Sequence, residues 1–292
     1  MNVGNALKVL CVGFGAGVVL RVVQMLYFYD YTTGFYTDGG VVAFCSLGLP
    51  LLAALLSGVM CFKSRRYFGP YVPRRNALAG CAAIFSGLVL IVSGVLQLTV
   101  YLRAPQTGMA VYEFSNQWMI HAAYLLASLL FGFVQLYMAA GFFVGKRNLE
   151  RVPLLYLVAV AWGILNLILA YVFYAKSSSF VENFFSVISC AALLLSLFYL
   201  CKLFAGVDEE GAAKRAFVSG GLAVVLTVTY CFSNLALMPL GRTYTGEAPA
   251  SIQLSSLSVS LFVLAFLITF RKYSLRRTPA ESSKEERRFK PN

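Results

Sequence analysis

Eight long apolar runs separated by short polar loops restrict this chain more than any other feature of its sequence. A helix needs about 20 apolar residues to cross a hydrocarbon core of roughly 30 Å. The runs fall at 6–28, 41–62, 77–102, 120–145, 153–175, 184–205, 216–239 and 252–270. Lipid offers backbone amides no hydrogen-bonding partner, so each run is expected to be a helix. A transmembrane barrel would show alternating segments of about ten residues, a pattern this sequence lacks. Only 12% of the 292 residues are charged while 59% are hydrophobic, against roughly a quarter charged in a soluble domain. The expected fold is therefore all-α, a polytopic membrane bundle of eight transmembrane helices. One domain should span residues 1–270, with a basic tail at 271–292.

The basic residues predict how the chain is threaded, because Lys and Arg are retained in cytoplasmic loops. One set of loops and ends carries 20 of the 24, including Lys63, Arg65, Arg66, Arg74, Arg75, Lys146, Arg147, Lys214, Arg215 and eight in the tail. The opposite set has only Arg103, Lys176 and Arg242, and Arg21 lies inside the first run. Both termini are thus expected in the cytoplasm of a cell (inner) membrane. The same asymmetry explains the net charge of +12 as a topology signal, not as a nucleic-acid footprint. Arg271, Lys272, Arg276 and Arg277 come soon enough after the last run to reach anionic headgroups. The first run lacks a small-x-small cleavage site before Tyr27-Phe28-Tyr29, so it is expected to be an uncleaved anchor.

Seven cysteines fall within the runs without a C-x-x-C pair, and the chain has a single His. They are expected to be small buried thiols, with no metal site. The sequence after the first run, Phe28-Tyr29-Asp30-Tyr31-Thr32-Thr33-Gly34-Phe35, is echoed after the fifth by Phe173-Tyr174-Ala175-Lys176-Ser177-Ser178-Ser179-Phe180. Two readings stay open. The chain is a parallel duplication of four-helix halves, 1–145 and 146–270, or outer turns simply reuse aromatic, Ser, Thr and Gly residues.

The Asp30-Tyr31-Thr32-Thr33-Gly34-Phe35 turn, preceded by Arg21-x-x-Gln24, resembles uncharacterised multi-spanning membrane proteins of bacteria. The resemblance implies a bacterial inner-membrane protein and carries no activity with it.

Arg21 is the sharpest single candidate, since a charge inside a membrane is costly and is functional by default. Gln24 shares its face at i+3. Arg21 is expected to snorkel outward, to pair with Asp30, Asp38 or another loop carboxylate, or to line a ligand or ion path. His121, at the outer start of the fourth run, has Glu113 as its nearest acidic neighbour if a surface helix forms over 110–118. Small residues at Gly13/Gly17 and Gly141/Gly145 fit close helix contacts. Pro50 should kink the second helix. Gln253, Ser256 and Ser260 give the eighth run a polar face, to glue helices or to line a solute path.

Every Asp and Glu is expected in a loop, at a helix end or in the tail, away from the centre of any run. That argues against proton- or sodium-coupled carriers, which commonly hold an embedded carboxylate, and against an intramembrane aspartyl protease. H-E-x-x-H, P-loop and dinucleotide fingerprints are missing, so no cofactor is expected. The leading expectation is a non-enzymatic membrane component (subunit, assembly factor or sensor) whose partners are the lipid bilayer and other membrane proteins. A carrier or facilitator for a neutral, anionic or lipid-like solute is the alternative. A lipid-directed enzyme would require Asp30, Asp38, Glu113 and His121 to converge.

Overall fold

The computed structural model describes residues 3–62, 73–103, 118–146, 148–149, 152–175, 179–207, 209–244 and 246–274. Among the described residues, eight helices, some counted together with the π- and 3-10 turns that extend them, are long and apolar enough to cross a membrane. They are α1 (Val3–Val23), α2 (Val41–Phe62), α3 (Ala77–Arg103), α4 (Trp118–Val144), α5 (Leu157–Leu169), α6 (Phe180–Ala205), α7 (Glu209–Thr227) and α8 (Ala250–Ser274). Three helices end in wider π-turns: Gln24–Phe28 after α1, Ala170–Tyr174 after α5 and Val228–Phe232 after α7. The last continues through a short helix, Ser233–Leu237, and a 3-10 turn, Met238–Leu240.

Between α1 and α2 the chain forms a two-stranded antiparallel hairpin, β1 (Tyr29–Asp30) and β2 (Phe35–Tyr36), with Tyr29 opposite Tyr36. We call the end of the bundle that carries it the hairpin face. Asp30 organises the turn, accepting bonds from the Thr32 amide (2.9 Å), the Thr32 hydroxyl (2.6 Å) and the Thr33 hydroxyl (2.8 Å). These bonds, the Thr32 hydroxyl foremost, hold its carboxyl down at about 2. Because the folded value lies below the unfolded one of about 3.9, Asp30 supports the turn fully above that value. The support is lost as pH falls through about 2. Asp38 caps the start of α2 by accepting the amides of Gly40 (3.0 Å) and Val42 (2.8 Å). Asp38→Ala should loosen the first turn of α2 by about 1 kcal/mol. Faster amide exchange at Val42, with helices elsewhere unchanged, is the expected readout.

The arrangement is set by small residues. The spanning segments of α7 and α8 bury 72% of their residues, against 33% for α1, so these two form the centre. α7 touches α1, α2, α6 and α8, while α3, α4, α5 and α6 continue the wall from α8 round to α7. Side-chain-free faces let the backbones close up. Gly220 of α7 lies against Val263 and Leu267 of α8, and Gly221 against Leu10 of α1. Gly13 and Gly17 meet Ala53 and Pro50 of α2, as their spacing suggested. Gly141 and Gly145 do not make a helix–helix contact. Gly141 faces the Lys146 carbonyl and Asn148, and Gly145 ends α4 at φ +80°, its amide bonded to the Gly141 carbonyl (2.7 Å). A turn-forming glycine shares the spacing of a packing motif, so spacing alone cannot separate them. Gly206 ends α6 in the same left-handed way (φ +73°), with the Val207 amide on the Lys202 carbonyl.

On α8, Ser256 and the neighbouring Ser251 and Ser255 work as glue, while Gln253 bonds Glu247 and the Ala248 carbonyl and Ser260 bonds the Leu257 carbonyl of its own helix. Ser251 donates to Gln97 of α3 (2.9 Å), Ser255 pairs with Tyr124 of α4 (3.0 Å), and Ser256 accepts from Asn166 of α5 (3.1 Å). Such bonds average about 0.6 kcal/mol each inside a membrane. The cysteines divide differently from expectation. Cys61, Cys201 and Cys231 are buried, but Cys11, Cys45 and Cys81 lie exposed on the bundle surface. A thiol is apolar enough to face lipid as readily as a core.

Candidate functional site

Arg21 is wholly buried near the hairpin face, about 10 Å along the helix rise from Phe28. It does not snorkel. Its guanidinium makes a two-pronged bond to Glu182 of α6, Nη1 to Oε1 (3.1 Å) and Nη2 to Oε2 (2.5 Å). Nη2 also donates to Asn234 Oδ1 (3.1 Å), beyond the α7 π-turn. Phe185 and Tyr230 adjoin the cation, their ring centroids 4.9 and 5.1 Å from it and 5.4 Å from each other, and aromatic ring faces attract positive charge.

Glu182 is the carboxylate that sequence reasoning underrated. It stands in the first turn of α6, which begins at Phe180, earlier than the apolar run suggested, and it is fully buried. Glu182 Oε1 also accepts from Gln24 Nε2 (3.1 Å) and from the Tyr36 hydroxyl (2.5 Å). Burial and the adjacent Glu182 charge push the Tyr36 hydroxyl up, which keeps it protonated as a donor. Gln24 in turn accepts from Ser46 Oγ of α2 (2.6 Å). Ser46 precedes Pro50 by four residues, so its carbonyl is the one that the proline ring releases. One ion pair therefore ties together α1, α2, α6, the end of α7 and the hairpin.

The π-turns explain how these side chains converge. An extra residue in a turn rotates the side chains beyond it, and such bulges recur at functional sites. Gln24 opens the first π-turn, and Tyr230 lies within the one after α7. Above the pair, the Tyr230 and Tyr244 hydroxyls bond at 2.6 Å. Glu247 accepts from the Tyr244 amide (3.2 Å) and from Gln253 Nε2 (2.9 Å). Burial raises the Glu247 carboxyl, and those two bonds oppose the rise. Among the described residues, Arg21 Nε, Thr229 Oγ1, Ser233 Oγ and Asn234 Nδ2 are buried without a hydrogen-bond partner.

Of the six residues singled out from sequence, the structure brings Arg21 and Gln24 together. Asp30 and Asp38 are engaged in their own turns, and neither supplies the partner of Arg21. His121 lies in the first turn of α4 with its ring 5.2 Å from that of Phe173. Glu113 and the surface helix expected over 110–118 lie outside the described residues. No cluster of His, Cys, Asp and Glu suited to a metal occurs among the described residues.

No family model matches this chain, and neither a curated protein nor a solved structure shows significant similarity to it. Fold and site together define an integral, multi-pass membrane protein.

Proposed function

We propose that the protein is a non-enzymatic component of a bacterial cell membrane, a subunit, assembly factor or sensor, with both termini in the cytoplasm. The observation that carries this reading is the state of Arg21. A solute-binding cation needs accessible donors, whereas this guanidinium is wholly buried, with both terminal nitrogens bound to Glu182 and Asn234 and Nε left unpartnered among the described residues. Its role is to hold elements in register, the best-attested use of a buried ion pair. The excess of basic residues in alternate loops supports the orientation, and the resemblance around Asp30–Phe35 supports the bacterial setting.

A carrier is the second reading, favoured by the unpartnered Thr229, Ser233 and Asn234 groups beside the α7 π-turn and by the interior serines of α8. The two readings separate in one experiment. The protein, crosslinked in its native membrane and purified, should carry one or two membrane proteins at fixed stoichiometry. The pure protein in vesicles should leave neutral and anionic solutes outside. Saturable solute entry, with no stoichiometric partner, would overturn the first reading in favour of the second.

A further inference from the structure

Gln135 of α4 is fully buried, and neither its amide nitrogen nor its amide oxygen has a partner among the described residues. An unpaired amide in apolar surroundings is costly, and such groups are normally satisfied. Gln135 lines a small cavity between α4, α5, α6 and α8 that encloses about 20 Å³. Its wall is otherwise apolar or aromatic, including Phe131, Tyr156, Leu197, Phe204 and Phe262. The one thiol in it, Cys201, is already bonded to the Tyr156 carbonyl (2.8 Å). The enclosed volume of about 20 Å³ admits one small polar group beside the Gln135 amide and no larger head.

The position of the mouth identifies the direction of entry. Among the described lining residues, Val134 and Met138 alone are partly exposed, and they share one face of α4 at i and i+4. That face is part of a membrane-crossing helix, so the cavity opens sideways toward lipid. Gln135 lies nine residues from the end of α4 remote from the hairpin face, placing the opening in that half of the bilayer. Among the described residues the wall carries no charged side chain, which disfavours an ionised headgroup by the cost of desolvating it. The enclosed part is narrow, wide enough for a group the size of one water. A small head therefore fits, with the rest of the molecule lying in the mouth.

We propose that this cavity binds the head of a neutral single-chain lipid bearing one hydroxyl or carbonyl group, with the Gln135 amide as its hydrogen-bonding partner. The amide donates to a ligand oxygen and accepts from a hydroxyl, so a hydroxyl meets both halves of its capacity. This site is separate from the Arg21–Glu182 cluster and does not depend on which role the protein has.

The test uses the full chain in phosphatidylcholine vesicles, with a diazirine-tagged long-chain alcohol as the probe. Labelling should map to α4 and α6 and should be displaced by unlabelled hexadecanol. A phosphate-headed chain of equal length should compete at least tenfold less well. Gln135→Leu should weaken the probe by about tenfold, as expected for losing a buried hydrogen bond. It should leave the ligand-free protein as stable as before or more so, since it removes an unpaired polar group. Ala159→Leu, which fills the wall from α5, should weaken the probe similarly. Labelling that is unsaturable, or equal in both variants, would overturn the proposal. So would equal competition by the phosphate-headed chain, or a single bridging water on Gln135 with probe binding unchanged by Gln135→Leu.

Discussion

Replacing either Arg21 or Glu182 alone by Met should destabilise the protein by about 3–5 kcal/mol, because each leaves an uncompensated charge in a buried site. The double variant should recover at least half of that loss. Apolar side chains of similar volume often replace a buried pair at little net cost. Recovery will stop short of complete, since Gln24, Tyr36 and Asn234 lose the partner they now bond. Denaturant titration in mixed micelles gives the three values needed for the cycle. Losses that simply add in the double variant would show that the two groups do not compensate each other. Because the pair joins α1 to α6, the hairpin should loosen with it in either single variant, which amide exchange at Thr37 reports through its bond to the Phe28 carbonyl.

The second large effect is expected where α3 crosses α4. A Cβ on Gly87 would stand 2.9 Å from the Gly132 carbonyl oxygen, and one on Gly132 would stand 2.9 Å from the Gly87 carbonyl oxygen. Backbone meets backbone here, so no rotamer change can relieve the clash. Gly87→Val or Gly132→Val should therefore cost at least the 1–3 kcal/mol typical of overpacking. Gly15→Ala is the matched control, because open space surrounds its Cβ. It should be neutral or slightly stabilising, given the better helix propensity of Ala. Equal losses at Gly132 and Gly15 would mean that propensity, not the crossing, sets the cost.

The residues of these sites differ in how far the sequence reveals them. Arg21 announces itself, because a lone cation in an apolar run is a conspicuous departure from what lipid tolerates. Its partner does not. Glu182 lies 161 residues away at the edge of a run, where a carboxylate is unremarkable, and only the packing of α6 on its neighbours carries it inward. Gly13 and Gly17 are readable as a packing pair, yet Gly141 and Gly145 have the same spacing and serve a turn. The Gly87–Gly132 crossing has no local signature, since each glycine's partner is on another helix. Gln135 is similar. A glutamine in a span reads as glue, and it becomes a candidate binding group only when the surrounding helices leave both ends of its amide unpaired.

The amino-acid sequence by itself determined that this chain is an eight-helix membrane bundle, because run length and backbone satisfaction in lipid are properties of local segments. It likewise carried the charge asymmetry of the loops, whereas Asp30 and Asp38, expected as partners of Arg21, proved to serve turns whose donors lie within four residues. Only the tertiary structure decided which helices are central, which carboxylate neutralises Arg21, and where a polar amide is left facing a void. Those outcomes depend on contacts between segments far apart in the chain, and apolar helices of similar length offer many pairings. The choice among them rests on small residues and a few buried hydrogen bonds that acquire meaning only when the helices meet.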